Sequence, residues 1–217
     1  MAQAKPSGEC RPRGRPQLRS DEETRRIVFD AARHAFAVDG YAATSTEELA
    51  RRAGISTKTL YRLFPGKAAL FEAMCADRLE QLLSAVDLQG SDEVDIETGL
   101  RAALLACADL ALDPEVVALQ RMVLQESAAF PELAANFYSN GISRTVRTLA
   151  GWLCVQVQRK RIAIDDAEEV AGMLIGMVAS APQRAAICGG MPLPSRKQIE
   201  RRVQTCASLF LDGCRAA

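Results

Sequence analysis

The sequence predicts an all-α protein of about nine helices, and two observations support this fold class. Helix starts recur along the whole chain, each with a capping residue or a proline in front of a segment of helical hydrophobic period. Alternation typical of a strand is nearly absent, and the single such run, residues 153–158, lies inside a long helical segment without turn residues. With 217 residues, 48% hydrophobic and 25% charged, the chain is long enough for one or two globular domains.

The chain begins with a basic arm, residues 1–19, which is broken by three prolines. It carries five Lys or Arg against one Glu and has almost no apolar side chains, so we expect it to be disordered in the free protein. The asymmetry extends further: residues 1–67 hold 13 cations and 8 acids, a net +5, and residues 68–217 hold 14 and 19, a net −5. A basic end on an acidic body indicates a module that binds a polyanion.

Nine helix starts follow the arm. Ser20-x-x-Glu23 and Ser45-x-x-Glu48 are capping boxes, and Pro65-Gly66 stops the third helix. In chain order, the helices are predicted to begin at Ser20, Ser45, Ser56, Lys67, Ser91, Asp113, Phe130, Asp165 and Ser195.

The second and third helices have the spacing of a helix-turn-helix, because a short glycine-containing turn joins them. On the third helix Leu60 and Phe64 fall on one face, and Lys58 and Arg62 on the opposite one. Its N-terminus can also attract a phosphate. The spacing alone leaves two interpretations open, a DNA-binding face or an ordinary solvated helix face.

Residues 21–75 resemble the N-terminal domain of TetR-family transcriptional regulators, on the pattern Gly40-Tyr41-x-Ala43-Thr44-Ser45-Thr46-x-x-x-Leu49-Ala50-x-x-Ala53-Gly54-Ile55-Ser56-x-x-Thr59-Leu60-Tyr61-x-x-Phe64-Pro65-x-Lys67-x-x-Leu70. The resemblance implies a helix-turn-helix DNA-binding domain at residues 20–67, a helical ligand-binding and dimerisation domain at residues 68–217, and a dimer on an operator. It implies that DNA is contacted by Thr46, Thr57, Lys58, Thr59, Tyr61, Arg62 and Lys67. Lys58 and Arg62 are the candidate guanine readers, since both can donate to O6 and N7.

The arm adds a second DNA-binding hypothesis. Its segment Pro12-Arg13-Gly14-Arg15-Pro16 resembles the core of an AT-hook, whose arginines enter the narrow minor groove of A·T tracts. We therefore predict that Arg13 and Arg15 contact DNA; the alternative is a generic basic tail.

The second half of the chain resembles the C-terminal domains of AcrR/AefR-type regulators, on the pattern Arg121-x-x-x-x-Glu126-x-x-x-Phe130-Pro131-Glu132-Leu133-x-x-x-Phe137-Tyr138. The resemblance implies a small-molecule effector, and the scarcity of cations in these stretches suggests an apolar or weakly polar one. The candidate cavity residues are Met122, Phe137, Tyr138, Trp152, Met173 and Met177.

Two features predict a dimer interface in the last two helices. The small residues Gly172 and Gly176 allow a close approach of backbones, and the last helix carries a seam with coiled-coil spacing. The predicted interface is Gly172, Gly176, Ile199, Val203, Cys206 and Phe210. Packing within one chain is the alternative.

Other classes of function have less support. We expect no enzyme, cofactor or metal site, because the only histidine is His34 and no nucleophile, phosphate-loop or metal motif occurs. The seven scattered cysteines fit free thiols in a cytoplasmic protein, and they leave a redox-sensing regulator as the main alternative. An architectural DNA protein without an effector is a third hypothesis. The longest apolar run is too short to predict a membrane span.

Overall fold

The computed structural model describes residues 19–84 and 94–214, and these ranges form nine helices and no β-strand. Their order is α1 (Asp21–Asp39), α2 (Thr46–Arg52), α3 (Thr57–Leu63), α4 (Lys67–Ser84), α5 (Ile96–Ala111), α6 (Pro114–Glu126), α7, α8 and α9 (Arg196–Cys214). Helix α7 joins Pro131–Phe137, a π-helical turn at Tyr138–Ile142, and Ser143–Gln158. Helix α8 joins Ala167–Ile175, a π-helical turn at Gly176–Ser180, and Ala181–Gly189. The predicted all-α class is confirmed.

Local capping explains why these helices begin where they do. At Ser20 the backbone N–H donates to Glu23 Oε2 over 2.9 Å, while the Glu23 N–H donates to Ser20 Oγ over 3.1 Å, which completes the predicted capping box. Ser45 and Ser56 accept the N3 amides of α2 and α3 in the same way. Helix α5 is capped by Asp95, and the start predicted at Ser91 lies outside the described residues.

Two hydrophobic cores hold the described helices together. The first contains buried residues of α1 to α4 together with Leu119, Met122 and Val123 of α6 and Leu133 of α7. The second contains α5, α8, α9 and the later part of α7. Helix α6 therefore packs with the helix-turn-helix, and the packing continues across the domain boundary that we predicted at residue 67.

Three of the six predicted dimer residues are buried within the protomer and three are partly exposed, and the predicted interface stays a prediction. Ile199, Val203 and Cys206 are buried in the chain's own second core, and Phe210 packs against it. Gly172 and Gly176 line an internal cavity described below. The buried residues of α9 pack against α5 and α8 of the same chain, and a seam of this spacing arises from packing within a chain as well as between chains.

A different apolar surface is left exposed on the same two helices. Met173 and Met177 of α8 are 58% and 44% exposed, and Leu209 of α9 is 61% exposed. By length and composition alone, Ala167–Gly189 is also apolar enough to cross a membrane, although the core helices of soluble proteins pass the same test. Only 28% of its most apolar window is buried within the protomer, so α8 has apolar surface available for a partner.

Candidate nucleic-acid interface and an internal cavity

The helix-turn-helix is built around a tight turn between α2 and α3. Gly54 has φ +64°, in the left-handed region that favours glycine, and the Ile55 N–H donates back to the Ala50 carbonyl over 3.0 Å. Leu60 and Leu63 are buried against the first core. The inner face of α3 is thereby fixed, and its other face points away from the protein.

That outer face of α3 carries most of the predicted DNA contacts. Thr57, Lys58, Tyr61 and Arg62 are all exposed. Thr59 is only half-exposed, and its hydroxyl lies 2.8 Å from Ser56 Oγ in the helix cap. The face therefore presents two cations and two hydroxyls to solvent next to a helix N-terminus, which is a chemistry suited to phosphates and base edges.

Two predicted phosphate contacts meet across the motif. Thr46 Oγ1, at the start of α2, lies 2.9 Å from the Tyr61 hydroxyl on α3. Thr46 Oγ1 also donates to the Glu47 carboxylate over 3.2 Å. The pair forms one small polar cluster, in which each hydroxyl orients the other.

Arg62 is engaged within the protein. Its Nη1 and Nη2 donate to the two carboxylate oxygens of Asp21, each over 2.7 Å. Asp21 is the first residue of α1, and hydrogen bonds from this carboxylate raise the pKa of Arg62. A base contact by Arg62 therefore requires the guanidinium to exchange one acceptor for another.

The ammonium group of Lys67 points toward the protein, and its sequence motif did not predict this orientation. Its Nζ donates to the carbonyls of Tyr41 (2.6 Å) and Thr44 (2.9 Å) and lies 4.1 Å from the centroid of the Tyr41 ring. Burial lowers the pKa of this lysine. In this arrangement Lys67 ties the α1–α2 loop to α4, and its predicted phosphate contact stays a prediction.

A charged cluster supports the back of α2. Glu48 accepts hydrogen bonds from Arg51 (2.7 and 2.8 Å) and from Arg52 (2.6 Å), and these bonds lower the pKa of Glu48 to about 2. Arg52 also pairs with Asp39 at the end of α1, with an N–O distance of 2.7 Å. The cluster links α1 to α2 and keeps Glu48 ionised.

Glu126, at the end of α6, contacts the loop that leads into α2. Its two carboxylate oxygens accept the Ala42 N–H over 3.2 and 3.0 Å. Gly40, at φ +86°, makes room for it, because a Cβ at Gly40 would lie 2.8 Å from Glu126 Oε1. The second half of the chain therefore reaches the helix-turn-helix directly through one carboxylate.

Arg13 and Arg15, the predicted minor-groove contacts, lie outside the described residues. Between residues 19 and 214, the described ranges contain no group of three or more His, Cys, Asp or Glu side chains that could hold a metal ion.

An internal cavity of about 350 Å³ lies between α1, α4, α5, α6, α7 and α8. Its volume is in the range of small-molecule sites, and most of its wall is apolar. Both π-helical turns contribute to this wall, through Gly141 and Ile142 in one and Gly176 and Ala179 in the other.

The predicted ligand contacts stay predictions, and most of them lie outside this cavity. Of the six candidates, Phe137 lines the cavity and the other five do not. Trp152 and Met122 are buried in the two cores, whereas Tyr138, Met173 and Met177 are exposed, the first of them by 62%. The geometric reason is that the helical rotation of α7 and α8 turns these side chains to solvent.

Polar groups in the cavity wall were also missed. Arg33 of α1, Arg78 of α4 and Gln120 of α6 all line it, although we expected few cations at the effector site. Arg33 was overlooked because it lies in the segment that resembles a DNA-binding domain. Arg33 pairs with Asp30 on its own helix, and its ion pair with Glu115 joins α1 to the start of α6.

Burial suppresses the reactivity of three thiols that the redox hypothesis concerns. It raises the pKa of Cys75, in the cavity wall, and of Cys107 to about 12, and it raises the pKa of Cys206 as well. These groups stay protonated at neutral pH, and the thiol is a poor nucleophile. Cys154 and Cys188 are exposed.

Comparisons with known families agree with this geometry. Residues 28–74 match the family described as bacterial regulatory proteins, tetR family. Residues 98–214 match the family described as AefR-like transcriptional repressor, C-terminal domain.

Two curated relatives illustrate the similarity. The HTH-type transcriptional regulator SrpR of Pseudomonas putida is 30% identical over 94 residues, which are 43% of this chain and 42% of SrpR. The HTH-type transcriptional activator FasR of Mycolicibacterium smegmatis is 34% identical over 105 residues, 47% of this chain and 48% of FasR. The matches thus span less than half the length of these relatives.

Solved structures match nearly the whole chain. A TetR-family regulator from Mesorhizobium loti superposes with a TM-score of 0.76 at 27% identity and covers 90% of this chain and 98% of its own. The flavonoid-responsive regulator FrrA superposes with a TM-score of 0.72 at 28% identity and covers 89% of this chain and 98% of its own.

Proposed function

Because the chain belongs to the TetR family of bacterial transcriptional regulators, we propose that it is a homodimeric repressor that a small organic effector releases from a palindromic operator. In this proposal it acts in the cytoplasm, where the operator lies. The observation that carries the proposal is the outer face of α3, where Lys58, Tyr61 and Arg62 are exposed while Leu60 and Leu63 anchor the helix from behind.

In our proposal α3 enters the major groove and α2 crosses the backbone. Lys58 and Arg62 donate to guanine edges, while Thr46, Thr57, Thr59 and Tyr61 contact phosphates or nearby base edges. Lys67 adds a phosphate contact if its ammonium leaves the loop carbonyls. Two such units in a dimer would read half-sites about one helical turn apart, roughly 34 Å.

The basic arm has a proposed role beside the half-site. Arg13 and Arg15 would insert into the minor groove, which is narrow in A·T tracts. Affinities of the full chain and of residues 20–217 should be compared on operators that differ only in A·T or G·C flanks. An equal loss on both operators would reduce the arm to a generic basic tail.

The proposed dimer uses the exposed apolar surface of α8 and α9 rather than the seam predicted from sequence. Met173, Met177 and Leu209 supply apolar area, and α8 is apolar well beyond what the protomer buries. Burial of this surface against a second copy would remove it from water.

The proposed effector site is the cavity that Phe137 helps to line. Arg33 supports this assignment, because it places a wall residue on α1, the first helix of the DNA-binding unit. A ligand there would bias the position of α1 relative to α4 and α6, and hence the spacing of the two recognition helices. FrrA is flavonoid-responsive by its name, so a flavonoid is one reasonable first compound.

A thiol switch is the alternative mechanism for the same fold. The raised pKa values of Cys75, Cys107 and Cys206 weigh against it at those positions. In this alternative the exposed Cys154 and Cys188 are the thiols that an oxidant would reach.

The test is binding of the full chain to labelled duplexes that tile the region upstream of its own gene, measured by fluorescence anisotropy at about 0.15 M salt. We expect one duplex to bind at least a hundredfold tighter than its shuffled sequence. Arg62→Ala should remove roughly tenfold to a hundredfold of that affinity, whereas Arg26→Ala, which removes an exposed arginine from α1, should change it little. Equal binding to all duplexes would overturn the proposal of a specific regulator.

A further inference from the structure

The loop that joins α1 to α2 is held by opposite charges from two other helices. Glu126 of α6 accepts the Ala42 N–H over 3.0 and 3.2 Å. Lys67 of α4 donates to the carbonyls of Tyr41 and Thr44 over 2.6 and 2.9 Å. Hydrogen bonds that involve an ionised group are stronger than neutral ones, so each of these two side chains restrains the loop.

The carboxylate of Glu126 fits closely against this loop. A Cβ at Gly40, which has φ +86°, would lie 2.8 Å from Glu126 Oε1. The next residue, Tyr41, is buried, and its ring centroid lies 5.3 Å from that of Phe130 and 6.1 Å from that of Phe71. The loop is therefore fixed on both its polar and its apolar contacts, and a carboxylate at another distance would lose the hydrogen bond.

The position of this loop determines where α2 begins. Ser45, which caps α2, and Thr46, its first residue, follow the loop directly. The Thr46 hydroxyl lies 2.9 Å from the Tyr61 hydroxyl on α3, and both are proposed DNA contacts. Because hydrogen bonds tolerate only a few tenths of an ångström of displacement, a shift of the loop would misplace Thr46 relative to the DNA backbone.

Lys67 cannot hold the loop and bind a phosphate at the same time. In the proposed complex its ammonium leaves the Tyr41 and Thr44 carbonyls for the DNA. Of the two charged side chains that hold the loop, only Glu126 then stays in place. The hydrogen bond from Ala42 to Glu126 should therefore matter more on DNA than in the free protein, where Lys67 still restrains the loop.

The negative charge of Glu126 has the opposite effect on DNA binding. Burial lowers the pKa of Lys67, and the charge of Glu126 acts against this shift. The same attraction favours the ammonium at the loop, and an acid on this side of the protein repels phosphates. The hydrogen bond and the charge of Glu126 therefore act in opposite directions, so variants can separate them.

We propose that Glu126 is a positioning residue for operator binding, which holds the Ala42 N–H and so keeps the α1–α2 loop and the start of α2 in place while Lys67 moves to a DNA phosphate. This inference rests on the proposed function, because it concerns binding to the operator. Glu126 itself does not touch DNA.

The experiment measures the affinity of Glu126 variants of the full chain for the operator duplex by fluorescence anisotropy. Glu126→Gln keeps an acceptor for the Ala42 N–H and removes the charge, so it should bind as tightly as the native protein or up to about threefold tighter. Glu126→Ala removes both, and Glu126→Asp keeps the charge on a side chain that is too short. Each should bind about tenfold weaker, on the order of one lost charged hydrogen bond.

Three results would overturn the proposal. Tighter binding by Glu126→Ala would show that only the charge matters. Native affinity in Glu126→Asp would show that the contact with Ala42 is not needed, and this variant also serves if Glu126→Ala does not fold. A loss in Glu126→Gln as large as in Glu126→Ala would show that a retained acceptor does not restore binding. Urea unfolding establishes that each variant is folded under the assay conditions.

Glu132→Ala is the matched control for the lost charge. Burial raises the pKa of Tyr41, and the charges of Glu132 and Glu126 both add to this shift, so both acids lie near the same ring. The Ala42 N–H, however, donates to Glu126. Glu132→Ala should therefore change the affinity less than about twofold, and a loss equal to that of Glu126→Ala would contradict the role of this hydrogen bond.

A double-mutant cycle tests whether Glu126 acts through the release of Lys67. In Lys67→Met the loop lacks the ammonium both in the free protein and on DNA. Glu126→Ala should then weaken the loop equally in both states, and its effect on affinity should fall from about tenfold to below about threefold. An undiminished loss in this background would overturn the proposed exchange.

The native protein keeps the two proposals separate. If it selects its operator over the shuffled duplex but the variants show the wrong order, this inference fails and the proposed function stands. If the native protein binds both duplexes equally, the proposed function itself fails.

Discussion

Arg62 and Asp21 form a bidentate ion pair between residues 41 positions apart in the sequence, and this pair joins α3 to the first residue of α1. Asp21 also belongs to the acidic first turn of α1, where a carboxylate favours the helix N-terminus. The same guanidinium is the candidate base reader. If Arg62 reads a base, as proposed above, its guanidinium first has to leave the Asp21 carboxylate.

Replacement of Asp21 by Asn should strengthen operator binding by about threefold to tenfold at about 0.1 M salt, because it frees Arg62 and removes a negative charge near the phosphates. Fluorescence anisotropy on the operator measures this. Glu22→Gln is the matched control, since it neutralises the neighbouring exposed acid, which pairs with Arg26. Weaker binding by Asp21→Asn would indicate instead that Asp21 positions Arg62 for the groove.

Replacement of Lys67 by Met should lower the free energy of unfolding by about 1–3 kcal/mol, because the Tyr41 and Thr44 carbonyls lose a charged donor. Urea unfolding measures this loss. The salt dependence of operator binding reports separately on the predicted phosphate contact. If Lys67 moves to a phosphate, the slope of log K against log salt should fall by about one unit, and an unchanged slope would restrict its role to the loop.

Glu48 should contribute to acid stability. Hydrogen bonds from Arg51 and Arg52 lower its pKa in the folded protein from the ordinary value of 4.5 to about 2, so its stabilising effect is fully present above about pH 4.5 and is lost as the pH falls toward 2. The free energies of unfolding of the native protein and Glu48→Gln should differ by a constant amount near neutral pH and converge below about pH 3. Glu47→Gln, one residue earlier, is the control. A difference that persists unchanged at pH 2 would contradict the assigned pKa.

The cysteines should separate by reactivity. At pH 8 iodoacetamide should label the exposed Cys154 and Cys188 in the native protein, whereas Cys75 and Cys107, with pKa values near 12, should label only on unfolding. Mass spectrometry of peptides from timed samples measures both rates. Rapid labelling of native Cys75 would show that the cavity opens to reagent and would strengthen the thiol-switch alternative.

The helix starts were predictable from the sequence because capping is local. Ser20, Ser45 and Ser56 lie within three residues of the amides that they accept, so a short window of sequence contains the whole interaction. The turn at Gly54 is local in the same sense. Contacts between residues that are far apart in the sequence could be predicted much less well.

The cavity could not be predicted because its wall depends on how distant helices rotate against one another. Phe137 and Tyr138 are adjacent in the sequence, yet the first lines the cavity and the second is 62% exposed. Trp152 was expected at the ligand, but it packs against Gly99, where a Cβ would lie 3.0 Å from its ring. The exposure of Arg62 on α3 was predicted from its place in the motif. Its ion pair with Asp21 was not predicted, because the two residues lie 41 positions apart in the sequence.

The lining of the cavity depends on the number of residues in the two π-helical turns. A π turn is a segment of α-helix that contains one residue more than its register requires, and these two surplus residues lie at Tyr138–Ile142 and Gly176–Ser180, both in the cavity wall. Deletion of one residue from either turn would restore a regular helix and rotate everything beyond it by about 100°. Thr145 and Val146, or Gln183, would then leave the wall. Substitutions can therefore retune what the cavity accepts, whereas a change of length in either segment would abolish it.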